Sequence, residues 1–415
     1  MVALIDCNNF FCSCERVFNP DLRNKPVVVL SNNDGCVIAR SNEAKMLGIP
    51  MGAPAFKYEH LFEKHNIKVY SSNLTLYHDM SNRVMSILTQ YSPKYEIYSI
   101  DECFLDLTGF NIDLVEYGQK IRKHIMRWTG IPVSIGIAPT KSLAKIANRI
   151  AKKFEVLNGV HCINTEELRI KALKWIPVED VWGIGFKSAK KLNKIGINTG
   201  YDFTQMPEST VKALMTITGL NLQRDLKGIP TIEFEPPQDR KSISCTRTFD
   251  EKYFELDEIK ERLVALSSIA SKKLRDQNSL CNSIMVFIET SRFEGSGKYY
   301  ANSEKINLPF PTNSTLEIIN FAVNSLKKMY KKGYGYKRGG IVLYNFVSAD
   351  NYQGSLFYKS NPSHKQLMST IDKINYKYPN SVHSAAYEKK HKMKQEKLSK
   401  KFTTDLNDIL EIDIE

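Results

Sequence analysis

The sequence predicts an α+β multidomain protein whose first half is a ferredoxin-like core interrupted by an insertion. Three observations carry this. Up to about residue 175, strand-length apolar runs and helix-spaced apolar stripes alternate in the order β-α-β…α-β-β-α-β. From about Ile176 to Asp239 the texture changes to short helices and Gly-containing hairpins, and residues 240–348 return to alternating strands and amphipathic helices. The chain has 415 residues, enough for two to four domains at roughly 100–200 residues each.

The elements follow in order. Val2-Ala-Leu-Ile5 is an apolar strand closed by Asp6, and Asn8–Glu15 turns helical until Asn19-Pro20-Asp21 ends it. Val27–Leu30 and Cys36–Ala39 flank Asn32-Asn-Asp-Gly35, a hairpin signal. Ser41–Leu47 is a short helix with Gly48 as its C-terminal stop. Apolar residues recur at helical spacing from Tyr77 to Leu88; Tyr95–Ile100 and Cys103–Leu107 are strands flanking Asp101-Glu102. Val133–Ile137 leads into a helix with the stripe Leu143, Ile146, Ala147, Ile150. Farther on, Ser283–Ile288 and Ile341–Phe346 are strands, Ser348–Pro362 is a polar linker, and the tail runs from Lys-rich (Glu388–Lys401) to acidic.

Composition narrows the function. With 42% hydrophobic and 25% charged residues, 21 Gly and 16 Pro, collagen-like and wholly disordered chains are excluded. No apolar run approaches the ~20 residues of a membrane span, and the N-terminus lacks a basic export signal, so a soluble, cytoplasmic protein is expected. Eight scattered cysteines, with only Cys12-Ser-Cys14 close together, read as reduced thiols. A net charge of +13 favours a polyanionic partner, nucleic acid before membrane.

Three carboxylates give the sharpest chemical signal. Asp6 ends a buried strand, and Asp101-Glu102 is a like-charged pair between two more. Singly, Asp6 could cap the next helix and Asp101-Glu102 could be an acidic turn. Together, on a basic chain, they suit divalent cations that relieve their repulsion, as Mg²⁺ does when it shares carboxylates and substrate phosphates. Arg40, Lys45, Lys141, Lys145, Lys152 and Lys153 supply cations near that site, though solvated helix faces would look the same. Gly136–Ser142 lacks the glycine of a phosphate loop, and Gly183-Ile-Gly185 lacks the third glycine of a dinucleotide fingerprint. Val181–Ile197 instead reads as a helix-hairpin-helix in which Gly183, Gly185, Lys187 and Lys190 grip duplex phosphates, or else as an ordinary tight helix connection. Lys327–Arg338 mixes cations and aromatics and could track a nucleic-acid backbone. Gln353, Leu356 and Phe357 give a linker peptide the anchors for a partner's pocket, or for its own domain.

Asp6, Phe10-Phe11, Ser99-Ile-Asp-Glu102, Ile137–Asn148 and Gly183-Ile-Gly185 together resemble the Y-family translesion DNA polymerases. Leu30–Arg40, Tyr98–Glu102 and Asp180–Gly185 are most similar to the UmuC-type branch of that family. The resemblance implies a right-hand polymerase: a ferredoxin-like palm (1–19 and 76–175), small fingers (20–75), a helical thumb with helix-hairpin-helix (176–239), an α/β little finger (240–348), and a clamp-binding linker with partner-binding tail (349–415). It implies an error-prone, template-directed enzyme of the SOS response. Asp6, Asp101, Glu102 and the Cys7 carbonyl would hold two Mg²⁺ ions. Phe11 would exclude the ribose 2′-OH, with Phe10 beside it, and Asn42, Lys45 and Lys152 would meet the triphosphate. Asn42 and Lys45 stand where many relatives have Tyr and Arg, and Lys grips phosphate as a point charge rather than a fork. The implied partners are primer-template DNA, dNTP, the β sliding clamp, the processed UmuD dimer and the RecA filament. A catalytically inactive DNA-binding scaffold that recruits the clamp, or a nuclease built on the same carboxylates, are the competing readings.

Overall fold

A computed structural model of the chain describes residues 1–236, 238–292, 299–352, 357, 360–379, 381–384 and 394–409. It forms two compact units, Met1–Pro237 with Gln395–Glu415, and Gln238–Lys394.

The first unit begins with β1 (Val2–Cys7), α1 (Phe10–Phe18), β2 (Val27–Leu30), β3 (Val37–Arg40), α2 (Asn42–Met46), α3 (Ala55–Lys64) and β4 (Lys68–Ser71). It continues through α4 (Leu74–Leu88), β5 (Tyr95–Ile97), β6 (Glu102–Asp106), α5 (Leu114–Thr129), β7 (Val133–Ala138), α6 (Lys141–Lys153) and β8 (Val160–Cys162). Helices α7 (Glu166–Trp175), α8 (Phe186–Lys194), α9 (Gly200–Gln205) and α10 (Glu208–Leu226) complete it.

The main sheet has the order β5-β6-β1-β7-β8, antiparallel except for the β7–β8 pair. Its centre is β1, which explains why Val2–Ile5 is apolar on both faces. Ala3, Ile5 and Cys7 join one core with α1, α4 and α5, while Leu4 joins a second core with α6 and α7–α10. On β6, Cys103 and Leu105 belong to the first core and Phe104 to the second. Strand side chains alternate between faces, so Asp6 follows Leu4, and Glu102 follows Phe104, onto the α6 face.

Helix α6 rides directly on the sheet. A Cβ on Gly136 of β7 would lie 2.1 Å from the Asn148 backbone N and 2.2 Å from the Ala144 carbonyl O. Thr140 caps the helix, and Asp225 of α10 accepts a hydrogen bond from the Ser142 N–H at 2.8 Å. Both tie the start of α6 to the following helical layer.

The insertion forms its own sheet, β3-β2-β4, over a small core of Val28, Leu30, Val37, Ile49 and Phe62. The expected hairpin at Asn32–Gly35 forms by an unexpected route. Asn33 (φ 60°) and Asp34 (φ 51°) take the left-handed positions and Gly35 does not, as short polar side chains tolerate that region. Ser41 caps α2, and Gly48 follows it at φ 79°. No β-hairpin forms between Ile176 and Pro236 among the described residues: α8, α9 and α10 are joined by short turns, with one isolated bridge between Pro177 and Thr199. The hairpin glycines serve helix ends instead.

Residues 395–409, part of the expected partner-binding tail, belong to this unit. The Ser71 N–H at the end of β4 donates to the Lys397 carbonyl (2.9 Å), the Lys397 N–H donates to Ser71 Oγ (3.0 Å), and Phe402 stacks on Phe18 with ring centroids 4.6 Å apart.

The second unit is an antiparallel sheet in the order β11-β10-β12-β9, from β9 (Ser242–Tyr253), β10 (Ser279–Thr290), β11 (Ala301–Thr312) and β12 (Tyr336–Ser348). Helices α11 (Leu256–Asp276) and α12 (Thr315–Met329) share its core. The strands run well past the apolar runs read from sequence, because their ends alternate polar with apolar residues. Helix α13 (Pro362–Lys377), not foreseen, is held by an Arg275–Asp372 ion pair at 2.6 Å.

Replacing Gly136 with Ala forces α6 off β7, and should cost about 3 kcal/mol. A shift of the urea midpoint checks it; an unchanged midpoint would mean the helix can rise without loss.

Candidate active site

The register of β1 against β6 pairs Asp6 with Glu102, so two carboxylates share one face at the end of a central strand. Like charges this close need compensation. It comes from α6: Lys152 Nζ meets Asp6 Oδ2 at 2.6 Å, and Lys145 Nζ meets both Glu102 oxygens at 2.9 Å. Those lysines are seven residues apart, two helical turns, on the face that Gly136 lets onto the sheet. Lys145 is further enclosed by the rings of Tyr98 (4.5 Å) and Trp182 (5.2 Å). Asp101 turns out of the strand. Its Oδ1 accepts the Ser99 hydroxyl at 2.6 Å, and its backbone carbonyl accepts the Cys7 N–H at 2.9 Å. Asp6 and Glu102 open onto a cavity of about 370 Å³ with Lys145, Lys152 and Trp182 in its wall. A cavity of about 1070 Å³ in the second unit, beside Arg275 and Tyr376, carries none of these groups.

Burial pushes the Asp6 carboxyl up to about 6; Lys152 opposes this, and the charges of Glu102 and Asp101 add to it. Among the described residues no three acidic, His or Cys side chains form a finished metal-binding group. Each of Asp6 and Glu102 is instead held by a lysine. The donor set nevertheless fits a hard divalent cation, being carboxylate oxygens whose mutual repulsion is evident at Asp6.

Cations gather beside this site. Lys45 donates to Asn9 Oδ1 and, at 3.5 Å, to Asn42 Oδ1; Asn9 Nδ2 also donates to Asn42 at 3.0 Å. Burial lowers the Lys45 pKa first, and the positive charges of Arg40 and Lys152 lower it further. Lys45, Arg40 and Lys152 therefore lie close enough for their positive charges to act on one another. Lys141 is not part of this group, being buried against Glu96 at 2.6 Å.

Of the two expected aromatic residues, Phe10 lies in the core at 4% exposure, and Phe11 is half-buried against that core. Phe11 stacks on Tyr77 of α4, with centroids 4.5 Å apart and planes 15° from parallel. The Tyr77 hydroxyl donates to Glu15 Oε1 at 2.6 Å. Glu15 was missed as a candidate. The signal was present: it lies four residues after Phe11, an acid on the apolar side of Phe10–Phe18. The aromatic enclosure of Lys145 had no such signal, since Tyr98 and Trp182 are 84 residues apart.

At the helix-hairpin-helix, Gly183 has φ 91°, Gly185 caps α8, and Lys187 and Lys190 are exposed beside it. A Cβ on Gly185 would meet nothing within 4 Å, leaving that helix start open. Of the linker peptide, Gln353 and Leu356 lie outside the described residues; Phe357 is 88% exposed.

Residues 5–149 match the impB/mucB/samB family and residues 240–356 its C-terminal domain, while residues 365–412 match a domain of unknown function, DUF4113. The chain is 40% identical to Protein UmuC of Salmonella typhimurium, over 99% of this chain and 100% of that one. It is 29% identical to DNA polymerase IV 2 of Bacillus subtilis, over 86% of this chain and 87% of that one. Among solved structures, a Y-family DNA polymerase chimera of Dbh and Dpo4 shares the fold, with a TM-score of 0.68 at 24% identity, over 84% of this chain and 99% of that one.

Burial raises the Glu15 carboxyl from the ordinary 4.5 to about 7, with the Tyr77 and Ser399 hydroxyls pulling it down. The folded protein therefore keeps a proton that the unfolded chain releases. The contribution of this group to stability is full below about pH 4.5 and is lost as pH rises through about 7. Glu15→Gln should remove roughly 2 kcal/mol of that loss, read from urea unfolding at pH 5 and pH 8. An unchanged pH slope would contradict it.

Proposed function

The chain belongs to the impB/mucB/samB family, and from that membership we propose that it is a Y-family DNA polymerase: error-prone, template-directed and acting in translesion synthesis. The observation that carries this reading is the Asp6–Glu102 pair at the end of the central strand, neutralised by Lys152 and Lys145 beside the positive charges of Lys45 and Arg40.

The reaction is transfer of a nucleotide from a dNTP to the primer 3′-OH. The 3′ oxygen forms a bond to the α-phosphorus, the bond to the pyrophosphate leaving group breaks, and the hydroxyl proton is lost. Two Mg²⁺ ions, held by Asp6, Asp101, Glu102 and the Cys7 carbonyl, would supply the positive charge for the attacking and leaving oxygens. The chain's own groups do the rest. Lys45 and Lys152 bind the triphosphate as point charges, with Asn42 as a hydrogen-bonding neighbour. Phe11 lies five residues beyond Asp6, so its ring reaches the sugar of a nucleotide whose phosphates lie at the carboxylates, and it excludes a 2′-OH by clash. The open start of α8 at Gly185, with Gly183, Lys187 and Lys190, grips duplex phosphate without reading sequence.

In this reading residues 1–19 and 76–175 are the palm, 20–75 the fingers, 176–239 the thumb, 240–348 the little finger, and 349–415 the linker and tail. Gln353, Leu356 and Phe357 dock on the β sliding clamp. Similarity to Protein UmuC supports a place in the SOS response, with the processed UmuD dimer and the RecA filament as partners and the cytoplasmic nucleoid as the setting. No described helix is long and apolar enough to cross a membrane.

Asp101→Asn keeps the side-chain shape and removes one charge from the site. Primer extension by the purified chain, supplied with clamp and partner proteins, should fall by about 10²-fold or more while primer-template affinity stays near that of the parent. Extension at the parental rate would overturn the assignment. A primer shortened by the parent protein would point to a nuclease.

A further inference from the structure

The C-terminal segment reaches the back of the proposed sugar gate. Ser399 Oγ donates to Glu15 Oε1 at 3.0 Å, the same oxygen that accepts the Tyr77 hydroxyl at 2.6 Å. Tyr77 in turn stacks beneath Phe11. Glu15 is 2% exposed and Tyr77 fully buried, so the hydroxyls that meet this oxygen lie inside the fold. A second tie runs through Asn73, which caps α4 one turn before Tyr77. Its Oδ1 accepts from the Leu76 N–H, and its Nδ2 donates to Ser399 Oγ (3.0 Å) and to the Lys400 carbonyl (3.1 Å). Phe402 on Phe18 closes the far side of the same helix that carries Phe11 and Glu15.

We propose that Ser399 and Glu15 are positioning residues for sugar selection: the C-terminal segment docks on the first unit and, through Glu15 and Tyr77, fixes the ring plane of Phe11. The proposal rests on the reading of Phe11 as the gate, and it gives a task to part of the stretch that matches DUF4113. Exclusion by clash depends on a ring held in place to a fraction of an ångström. Two hydroxyls donating to one buried oxygen hold both the acid and the tyrosine in one rotamer. Without the Ser399 hydroxyl, the Tyr77 donor alone must satisfy that oxygen, and the ring beneath Phe11 loses its fixed anchor.

The test is the ratio of kcat/KM for a matched dNTP and rNTP, measured on the full chain. Ser399→Ala and Phe402→Ala should each lower this ratio by about tenfold, with deoxynucleotide incorporation retained, and Ser399→Thr should restore it. In a Phe11→Ala background, itself low in discrimination, Ser399→Ala should lower the ratio no further, because the gate it sets is gone. A merely structural tie would lower thermal stability in both backgrounds and leave the ratio alone. An unchanged ratio in both Ser399→Ala and Phe402→Ala overturns the proposal, as does an equal drop with and without Phe11. If Phe11→Ala leaves discrimination at the parental level, the gate reading itself fails, and the positioning role with it.

Discussion

The cross-strand meeting of Asp6 and Glu102 is the constraint around which the first unit is built. Two carboxylates facing each other at the ends of two central strands are costly unless each finds a counter-charge. The counter-charges come from one helix, α6, and reach the carboxylates only because that helix lies against β7 at a distance no side chain at position 136 would permit. A glycine, a helix register and a strand register thus combine to keep a repulsive pair tolerable. The arrangement is poised rather than locked. Asp6 remains raised to about 6 even with Lys152 in contact, so the lysine only partly meets the demand for positive charge.

The same lysines define what the site attracts. Lys152 bears on Asp6 and, through space, on Lys45, so it links the carboxylates to the cationic seat around Arg40 and Asn42. A substrate that brings both phosphates and cations satisfies both halves at once. Phe11, on a ring stack anchored by a buried acid, is the residue to which the proposed function gives selection of the sugar.

Much of this was legible in the sequence, for physical reasons. Val2–Ile5 is apolar on both faces because it is an interior strand, and Asp6 stood out because it breaks such a run. The carboxylates, the lysines and Phe11 were visible as residue types at telling positions. What the sequence did not disclose were contacts between distant segments. That Lys145 serves Glu102 and not a phosphate depends on the helix-to-sheet approach, and the Tyr98–Trp182 enclosure depends on two loops meeting. The return of residues 395–409 to β4 and α1 was hidden because the segment is polar and its ties are side-chain and backbone hydrogen bonds. Hairpins expected after Ile176 proved to be helix connections, since a Gly-containing turn serves either.

Lys152 holds Asp6 at 2.6 Å, and under the proposed two-metal reading a divalent cation has to compete with it there. That competition is tested most directly by the affinity for Mn²⁺, read by electron paramagnetic resonance on the full chain and on Lys152→Ala. If lysine and cation compete for the same carboxylate, Lys152→Ala binds Mn²⁺ more tightly while its KM for dNTP rises. Mn²⁺ affinity that is unchanged or weaker in Lys152→Ala would contradict the account.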